Sequence, residues 1–321
     1  MKISVALCTY NGAAHVGEQL AGIAAQTRPP DELVVCDDVS GDATAEIVRA
    51  FAADAPFPVR LTVNDANLGA TKNFEKAVGL AAGDAIALSD QDDVWLPAKL
   101  ERIETVLNES PGAGLVFTDA ECVGEDLRPL GYRLWPSSYL GRREIERIRG
   151  GGTFELLLTH NVVTGATTAF RGEFRDLVLP IHAGWVHDGW IALLIAAVAD
   201  VIALDEPLIR YRQHARQQIG AREPTLRRQY RHASSMGREY FAREAGNFAA
   251  ALERLTSHTG RAVRPGLLAR LEAKVAHCQA RLRMREVSRL GRLPLIGREL
   301  FAGRYRRYSI NWKAVPQDLF L

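Results

Sequence analysis

Between Ile3 and Asp93, short apolar runs alternate with amphipathic stretches, and no other feature constrains the fold as much. Ile3–Cys8 is apolar enough to read as a buried parallel strand, and Glu32–Cys36, Val59–Val63 and Ala85–Ser89 read as further strands. Val16, Leu20, Ile23 and Ala24, then Ile47, Val48 and Phe51, then Phe74, Ala77, Val78 and Ala81 recur at helical spacing between them. Pro29-Pro30 is expected to stop the first helix and Gly83 to cap the third. Strand and helix alternating at this spacing predict βαβ units, hence an α/β fold with a mostly parallel sheet and helices on both faces. Such sheets bind ligands beyond the carboxyl ends of their strands. Here two of those ends carry acidic clusters, Asp37-Asp38 and Asp90-Gln91-Asp92-Asp93.

Later elements are less regular. Leu115–Thr118 and Val162–Phe170 look like strands, Asp188–Ala199 like a helix, and Val201–Arg212 like two strands turning near Pro207. From Arg222 onward strand signals vanish, and Leu267, Leu268, Leu271, Val275, Cys278 and Leu282 mark helices. The net charge of +2 hides an asymmetry: residues 1–221 hold 19 Lys and Arg against 30 Asp and Glu, whereas residues 222–321 hold 21 against 8. The basic part calls for an anionic partner. Met1-Lys2-Ile3-Ser4-Val5 lacks a signal-peptide pattern, and the most apolar stretch, Trp190–Leu204, contains Asp200 and is too short to span a bilayer. Cys8, Cys36, Cys122 and Cys278 form no C-x-x-C pair and read as reduced core thiols, which suits a cytoplasmic protein.

Asp90, Asp92 and Asp93 repel one another unless solvent or a cation relieves them. One reading is a solvated turn capping a helix that begins near Leu96-Pro97. The other is a hard dication, Mg2+ or Mn2+, held by one or two carboxylates and by diphosphate oxygens. The runs Ser4–Gly12, Val34–Asp38, Asn67-Leu68-Gly69 and Leu88–Trp95 follow in this order. Together they resemble the family-2 glycosyltransferases of the GT-A fold, from residue 3 to the neighbourhood of residue 220.

That resemblance implies a GT-A domain over residues 1–221, with a nucleotide-sugar half at 1–100 and an acceptor half at 101–221, then a basic, mainly helical region over 222–321. It implies inverting transfer from a UDP- or dTDP-sugar to a saccharide acceptor, free or lipid-linked, in cell-surface polysaccharide synthesis. Thr9, Tyr10 and Asn11 would border the base and ribose, and Asp37 or Asp38 would accept the N3–H of a uracil or thymine. Asn67 joins that nucleotide-binding set, and Lys72, one turn further, would approach a phosphate. In the Asp-x-Asp element, Asp92 would ligate the metal and Asp90 would face the ribose or lie behind the metal. Asp93 would meet the donor sugar or cap the next helix, and Trp95 counts with the donor and acceptor contacts. The family commonly has Asp-Asp-Gly-Ser after the second strand, where this chain has Asp38-Val39-Ser40-Gly41, which leaves that loop's geometry open.

Asp188, between Trp185 and Trp190 at the start of an apolar helix, is either an N-cap or the base that deprotonates the acceptor hydroxyl. The resemblance implies the base, with His187 and Trp190 beside the substrates. Gly165, Ala166 and Thr167 are small enough for close approach of donor sugar or acceptor, or for tight strand packing. The resemblance places His214 over the diphosphate or metal with Arg212 as a phosphate partner. Gln213-His214 and Ile219-Gly220 look most like rhamnosyltransferase-type members, hence dTDP-rhamnose. The basic segment, with Arg227-Arg228, Arg281, Arg283, Arg285, Arg289, Arg292 and Arg304–Arg307, suits peripheral contact with anionic lipid on the inner face of the cell membrane, a solvated helical appendage or a dimer surface. No nucleic-acid motif accompanies it. Two rival functions remain. A sugar-nucleotide nucleotidyltransferase would carry a Gly-rich loop after the first strand, where Thr9-Tyr10-Asn11-Gly12 stands; a non-catalytic sugar-nucleotide-binding protein would need no base such as Asp188.

Overall fold

β1 (Ile3–Thr9) is buried along its whole length because a strand pairs with it on each side. β2 (Glu32–Asp37) runs parallel to it from Ser4–Glu32 to Thr9–Asp37, and β4 (Ala85–Ser89) runs parallel on the other edge. β3 (Val59–Val63) adds in parallel to β2. The crossovers carry α1 (Val16–Ala24), α2 (Thr44–Asp54) and α3 (Ala70–Leu80). This computed structural model describes residues 1–214, 237–309 and 314–320, so Ile219-Gly220 and Arg227-Arg228 lie outside the described residues.

Beyond β4 the sheet becomes mixed. β8 (Thr168–Arg171) is antiparallel to β4, β6 (Ala113–Val123) is antiparallel to β8, and β9 (Asp200–Arg212) is parallel to β6. The two-residue β5 (Val94–Trp95) closes the row antiparallel to β9, and β7 (Pro129–Arg133) pairs with β6. The order among the described residues is β3-β2-β1-β4-β8-β6-β9-β5, and the parallel part is its first four strands. Ile3, Val5, Leu7, Leu33, Val35, Leu100 and Ile103 are fully buried in one core between sheet and helices. Burial of this apolar surface is the main stabilising contribution. Cys8, Cys36, Cys122 and Cys278 are buried and free; burial first of all pushes the Cys36 thiol up to about 11 and those of Cys122 and Cys278 to about 12.

Several expected boundaries move. Residues 201–212 form one strand, not two: Pro207 sits where the ladder with β6 shifts register, and that irregularity tolerates a residue without an N–H. In 162–170 only the end is strand, preceded by a 3-10 turn over Gly165–Thr167. α3 ends at Leu80, and Gly83 does not cap it but donates its N–H to Ser4 Oγ (2.7 Å). β5 separates the acidic loop from α4 (Lys99–Glu109), so the aspartates cap no helix there. α5 (His187–Val198) is buried on all sides through Ala197, which accounts for its uniform hydrophobicity.

The chain divides into two compact units, Met1–Gly151 with Val162–Arg222, and Gly152–Asn161 with Glu223–Leu321. The segment 152–161, which the sequence reading placed in the acceptor half, thus belongs to the helical unit. In that unit α6 (Arg238–Ser257) packs on α7 (Leu267–Met284) through Phe241, Phe248, Leu271 and Val275. α8 (Arg289–Phe301), α9 (Arg304–Tyr308) and α10 (Ala314–Phe320) follow. Asp318, fully buried, accepts from Arg281 Nε (2.7 Å), Arg285 Nη2 (2.6 Å) and Tyr305 Oη (2.7 Å). Part of the tail's positive charge is therefore spent internally: Arg281 and Arg285 on Asp318, Arg304 on Glu299 (2.8 Å).

The loop whose missing glycine left its geometry open keeps a left-handed residue all the same. Val39 has φ 63°, a conformation that a β-branched side chain adopts only at a cost. Ser40 holds it there, donating its N–H (2.9 Å) and its hydroxyl (2.6 Å) to Asp37. Val39→Gly removes that cost. It is expected to raise stability by about 1 kcal/mol in thermal or urea unfolding, and a lower melting temperature for the variant would contradict the strain.

Candidate functional site

The carboxyl ends of β1, β2 and β4 lie side by side, so the loops they feed meet. Thr9 Oγ1 donates to Asp37 Oδ1 across the β1–β2 edge (2.7 Å). Gln91 reaches back to β1's loop, accepting from Tyr10 N (2.8 Å) and donating to Tyr10 O (2.9 Å), as a neighbouring strand would. Gly12 makes room for it: a Cβ there would lie 2.0 Å from Gln91 Oε1. Asn11, at φ 48°, donates its N–H to Ser40 Oγ (2.9 Å) and accepts from Gly41 N (2.8 Å). The Tyr10 ring is left half exposed.

Asp38 organises the next loop. Its carboxylate accepts from Asn64 Nδ2 (2.8 Å), Leu68 N (2.8 Å) and Gly69 N (2.9 Å), and its carbonyl accepts from Asn67 Nδ2 (3.2 Å). The Asn67-Leu68-Gly69 motif is thus laid against the end of β2 before α3 begins. Asp37 and Asp38 are both buried, and each carboxylate keeps one acceptor position beyond the three bonds named.

The acidic loop is built on buried cations. Arg212, at the end of β9 and 1% exposed, donates its backbone N–H to Asp93 Oδ1 (3.0 Å) and its Nε to Asp92 O (2.7 Å). Its remaining nitrogens reach Glu125 O and Glu18 Oε2 on α1. Lys99, wholly buried, donates to Ala166 O (2.7 Å) and lies 3.7 Å from the Trp95 ring centroid. Gln19 fills the base, its amide donating to Asp93 O (2.9 Å) and accepting from Ser89 Oγ (2.6 Å) and Trp95 Nε1 (2.9 Å). Burial, then the carboxylates of Asp92 and Asp188, push Asp90 up to about 7. Burial, then Asp92 and Asp90, push Asp93 well above the usual carboxylate range, and its Oδ2 is buried without a partner. Burial pulls Lys99 down to about 7 against the opposing pull of Asp93 and Asp90.

His214 Nε2 lies 2.8 Å from Asp92 Oδ2, and the His15 ring lies 5.3 Å from the His214 ring. Across the site, Asp188 in the first turn of α5 accepts from Gly165 N (3.0 Å) and Gly189 N (2.5 Å). Gly165 packs so closely on His187 that a Cβ would lie 2.5 Å from its Nε2. His187 stacks on Phe74 (3.8 Å), and burial lowers its pKa. Asp188 and the acidic loop are near enough for Asp90 to feel both, and the buried Tyr211 hydroxyl is raised by Asp93, Asp90, Asp92 and Asp188 together, after burial itself.

Four residues expected at the ligand surface serve elsewhere. Arg212 has its nitrogens engaged by protein oxygens and holds the loop from beneath, so it is no open phosphate partner. Lys72 binds Glu75 Oε2 (2.6 Å) and Ile181 O (2.7 Å), tying α3 to the segment before α5. Trp95 is a core residue at 2% exposure, and Trp190, equally buried, donates its Nε1 to Val178 O (2.8 Å). Conversely, Gln91, Lys99, Tyr211, Gln19 and His15 belong to the site without having been singled out. Only a carboxylate-rich loop's need for buried countercharge could have pointed to Lys99.

Among the described residues no three His, Cys, Asp or Glu side chains gather into a closed metal cage. Asp92 and His214 offer two adjacent donors, which fits Mg2+ or Mn2+, ions that keep waters and substrate phosphate oxygens as further ligands. With Asp90 held up to about 7, the folded chain keeps a proton that the unfolded chain releases near pH 4, so stability is lost as pH rises across that window. In metal-free buffer, Asp90→Asn is therefore expected to melt above the parent protein, with a gap opening from about pH 4 to about pH 7 and level beyond it. A gap that shrinks as pH rises would contradict the raised carboxyl.

The sequence profile of glycosyl transferase family 2 matches residues 4–178. Among curated relatives, the dTDP-rhamnosyl transferase RfbG of Shigella flexneri is 26% identical over 262 residues, covering 77% of this chain and 84% of its own. The chain also matches uncharacterized mycobacterial proteins at 27% identity, over 59% of their length. In three dimensions, S. aureus TarS 1-349 in complex with UDP-GlcNAc aligns with a TM-score of 0.57 at 16% identity, covering 99% of this chain and 78% of that one. The mannosyltransferase PcManGT of Pyrobaculum calidifontis, in complex with GDP-Man and Mn2+, aligns at 0.52 and 19% identity, covering 99% and 85%. The fold, four parallel strands continuing into a mixed half, is GT-A. With more than half of its length matched by the profile, the chain belongs to glycosyl transferase family 2.

Proposed function

We propose that this chain transfers a sugar, with inversion, from a pyrimidine nucleoside diphosphate to a saccharide acceptor. The observation that carries the proposal is the gathering of Asp90, Asp92 and His214 at the end of β4 with Asp188 within their electrostatic reach. Thr9, Tyr10 and Asn11 border the base and ribose, and Asp37 or Asp38 takes the N3–H of uracil or thymine with its remaining acceptor position. Asp92 and His214 would hold a divalent cation, which when bound supplies positive charge to the departing diphosphate. Asp188, its orientation fixed by the N–H groups of Gly165 and Gly189, accepts the proton of the acceptor hydroxyl as the sugar's anomeric carbon is attacked from the opposite face. Gly165, Ala166 and Thr167 supply the close wall beside it. Asp93, wholly buried and held by the Arg212 N–H, supports the loop from within.

The likeness to RfbG, with the Gln213-His214 element, supports dTDP-rhamnose as the donor. A lipid-linked saccharide in cell-surface polysaccharide synthesis, reached from the cytoplasmic side of the membrane, is the acceptor class that fits such a donor. Among the described residues no helix is long and apolar enough to cross a membrane.

Asp188→Asn is expected to lower transfer by about 10²–10⁴-fold while nucleotide affinity stays near that of the parent. Wild-type turnover in this variant would sink the base assignment. Calorimetry with dTDP should show strong binding in Mn2+ and weak binding in EDTA, a difference that Asp92→Asn removes. Equal affinity of the parent protein in both buffers would strip Asp92 of its role.

A further inference from the structure

α8 has one side built into the helical unit, where Ile296 and Glu299 are buried, and Ile296 packs with Met284, Tyr305 and Ala314. Among the described residues, nothing covers its other, apolar side. Phe301 is 98% exposed, Leu290 79%, Leu293 50% and Leu300 49%. At roughly 100° per residue these four side chains, with Gly297 and Pro294, fall within an arc of about 120°. Single exposed leucines are ordinary, but a contiguous outward apolar face marks a contact surface. Arg289 and Arg298, both exposed, flank that arc on its two edges, while Arg281 and Arg285 pair with Asp318 and Arg304 with Glu299. Phe320 extends the patch: it is 61% exposed, and its carbonyl accepts from Arg289 Nη2 (3.3 Å).

We propose that this face of α8 lies on an anionic bilayer, with Phe301, Leu290, Leu293 and Leu300 among the acyl boundary and Arg289 and Arg298 at the headgroups. The charge distribution decides between occupants. A second copy docked face to face would oppose like-charged arginine rims across the contact, whereas lipid phosphates answer them. An apolar stripe bordered by guanidinium groups that stay in the polar layer is the arrangement of an interfacial helix. The inference shares with the proposed function only its setting at the inner membrane face; lipid binding and sugar transfer are read by separate assays.

The test is flotation of the full chain with vesicles of phosphatidylcholine alone or mixed with phosphatidylglycerol, alongside a sedimentation measurement of its mass without lipid. The protein is expected to float with the mixed vesicles at least tenfold more strongly than with phosphatidylcholine, and less as salt rises. The double variant Leu290→Ser, Phe301→Ser should lose that binding at least tenfold. Arg289→Gln with Arg298→Gln should abolish the preference for the anionic lipid. Hydrolysis of the donor nucleotide in lipid-free buffer should be unchanged in both, which reports that they fold and keeps the test separate from the transfer reading. Equal flotation of the parent and the Leu290→Ser, Phe301→Ser variant would overturn the proposal. So would a dimer in solution that this variant converts to monomer, which would assign the face to self-association.

Discussion

A buried guanidinium carries the acidic loop. The Arg212 side chain fixes the backbone of Asp92 and reaches Glu18 on α1, while its backbone N–H holds the Asp93 carboxylate, so β9, the acidic loop and α1 meet on one residue. Without it the loop would bring Asp90, Asp92 and Asp93 together with little to oppose their repulsion. Lys99 adds a second buried amine beneath the same carboxylates. Burial first, and then the repulsion of neighbouring carboxylates, keep Asp90 and Asp93 raised despite both groups. Carboxyl groups whose ionisation an incoming positive charge would favour, held rigid from below, need little rearrangement on binding.

The parallel half of the fold was legible because each strand and helix there declares itself locally, through apolar runs and helical spacing. The strand-end carboxylates were legible because a parallel sheet dictates where its loops emerge. In the mixed half the strands β6, β8 and β9 were read at least in part, but not how they pair. β5 is two residues long, and β9 takes its partners from distant segments, which no local pattern encodes. Site chemistry divides the same way. Asp92 with His214 and Asp188 with Gly165 are brought together by the fold from far apart in the chain. Arg212, Trp95 and Trp190 share motifs with site residues, yet their side chains are buried, and Lys72 is tied to Glu75 and Ile181. A motif marks a neighbourhood; burial decides which of its members face a ligand.

Composition was similarly coarse in the helical unit. A strong positive balance says nothing about which charges are already answered. Arg281, Arg285 and Arg304 are paired within the unit, whereas Arg289 and Arg298 remain outward beside apolar side chains. The same excess thus serves two ends, cross-linking helices inside and bordering an uncovered face outside. Val39 carries a related lesson. The loop retains a left-handed turn after its expected glycine is gone, because the hydrogen bonds from Ser40 to Asp37 hold the backbone.

Asp318 has a bearing on how the protein is made. Its three partners, Arg281, Arg285 and Tyr305, all precede it in the chain and wait for a single carboxylate translated after them. Until it leaves the ribosome, two guanidinium groups and a phenol destined for the interior lack this acceptor, so their cluster cannot close. The sheet unit's βαβ segments, all translated earlier, can assemble in the meantime. The order of translation therefore sets the closing of this cluster after the synthesis of the sheet unit's βαβ segments.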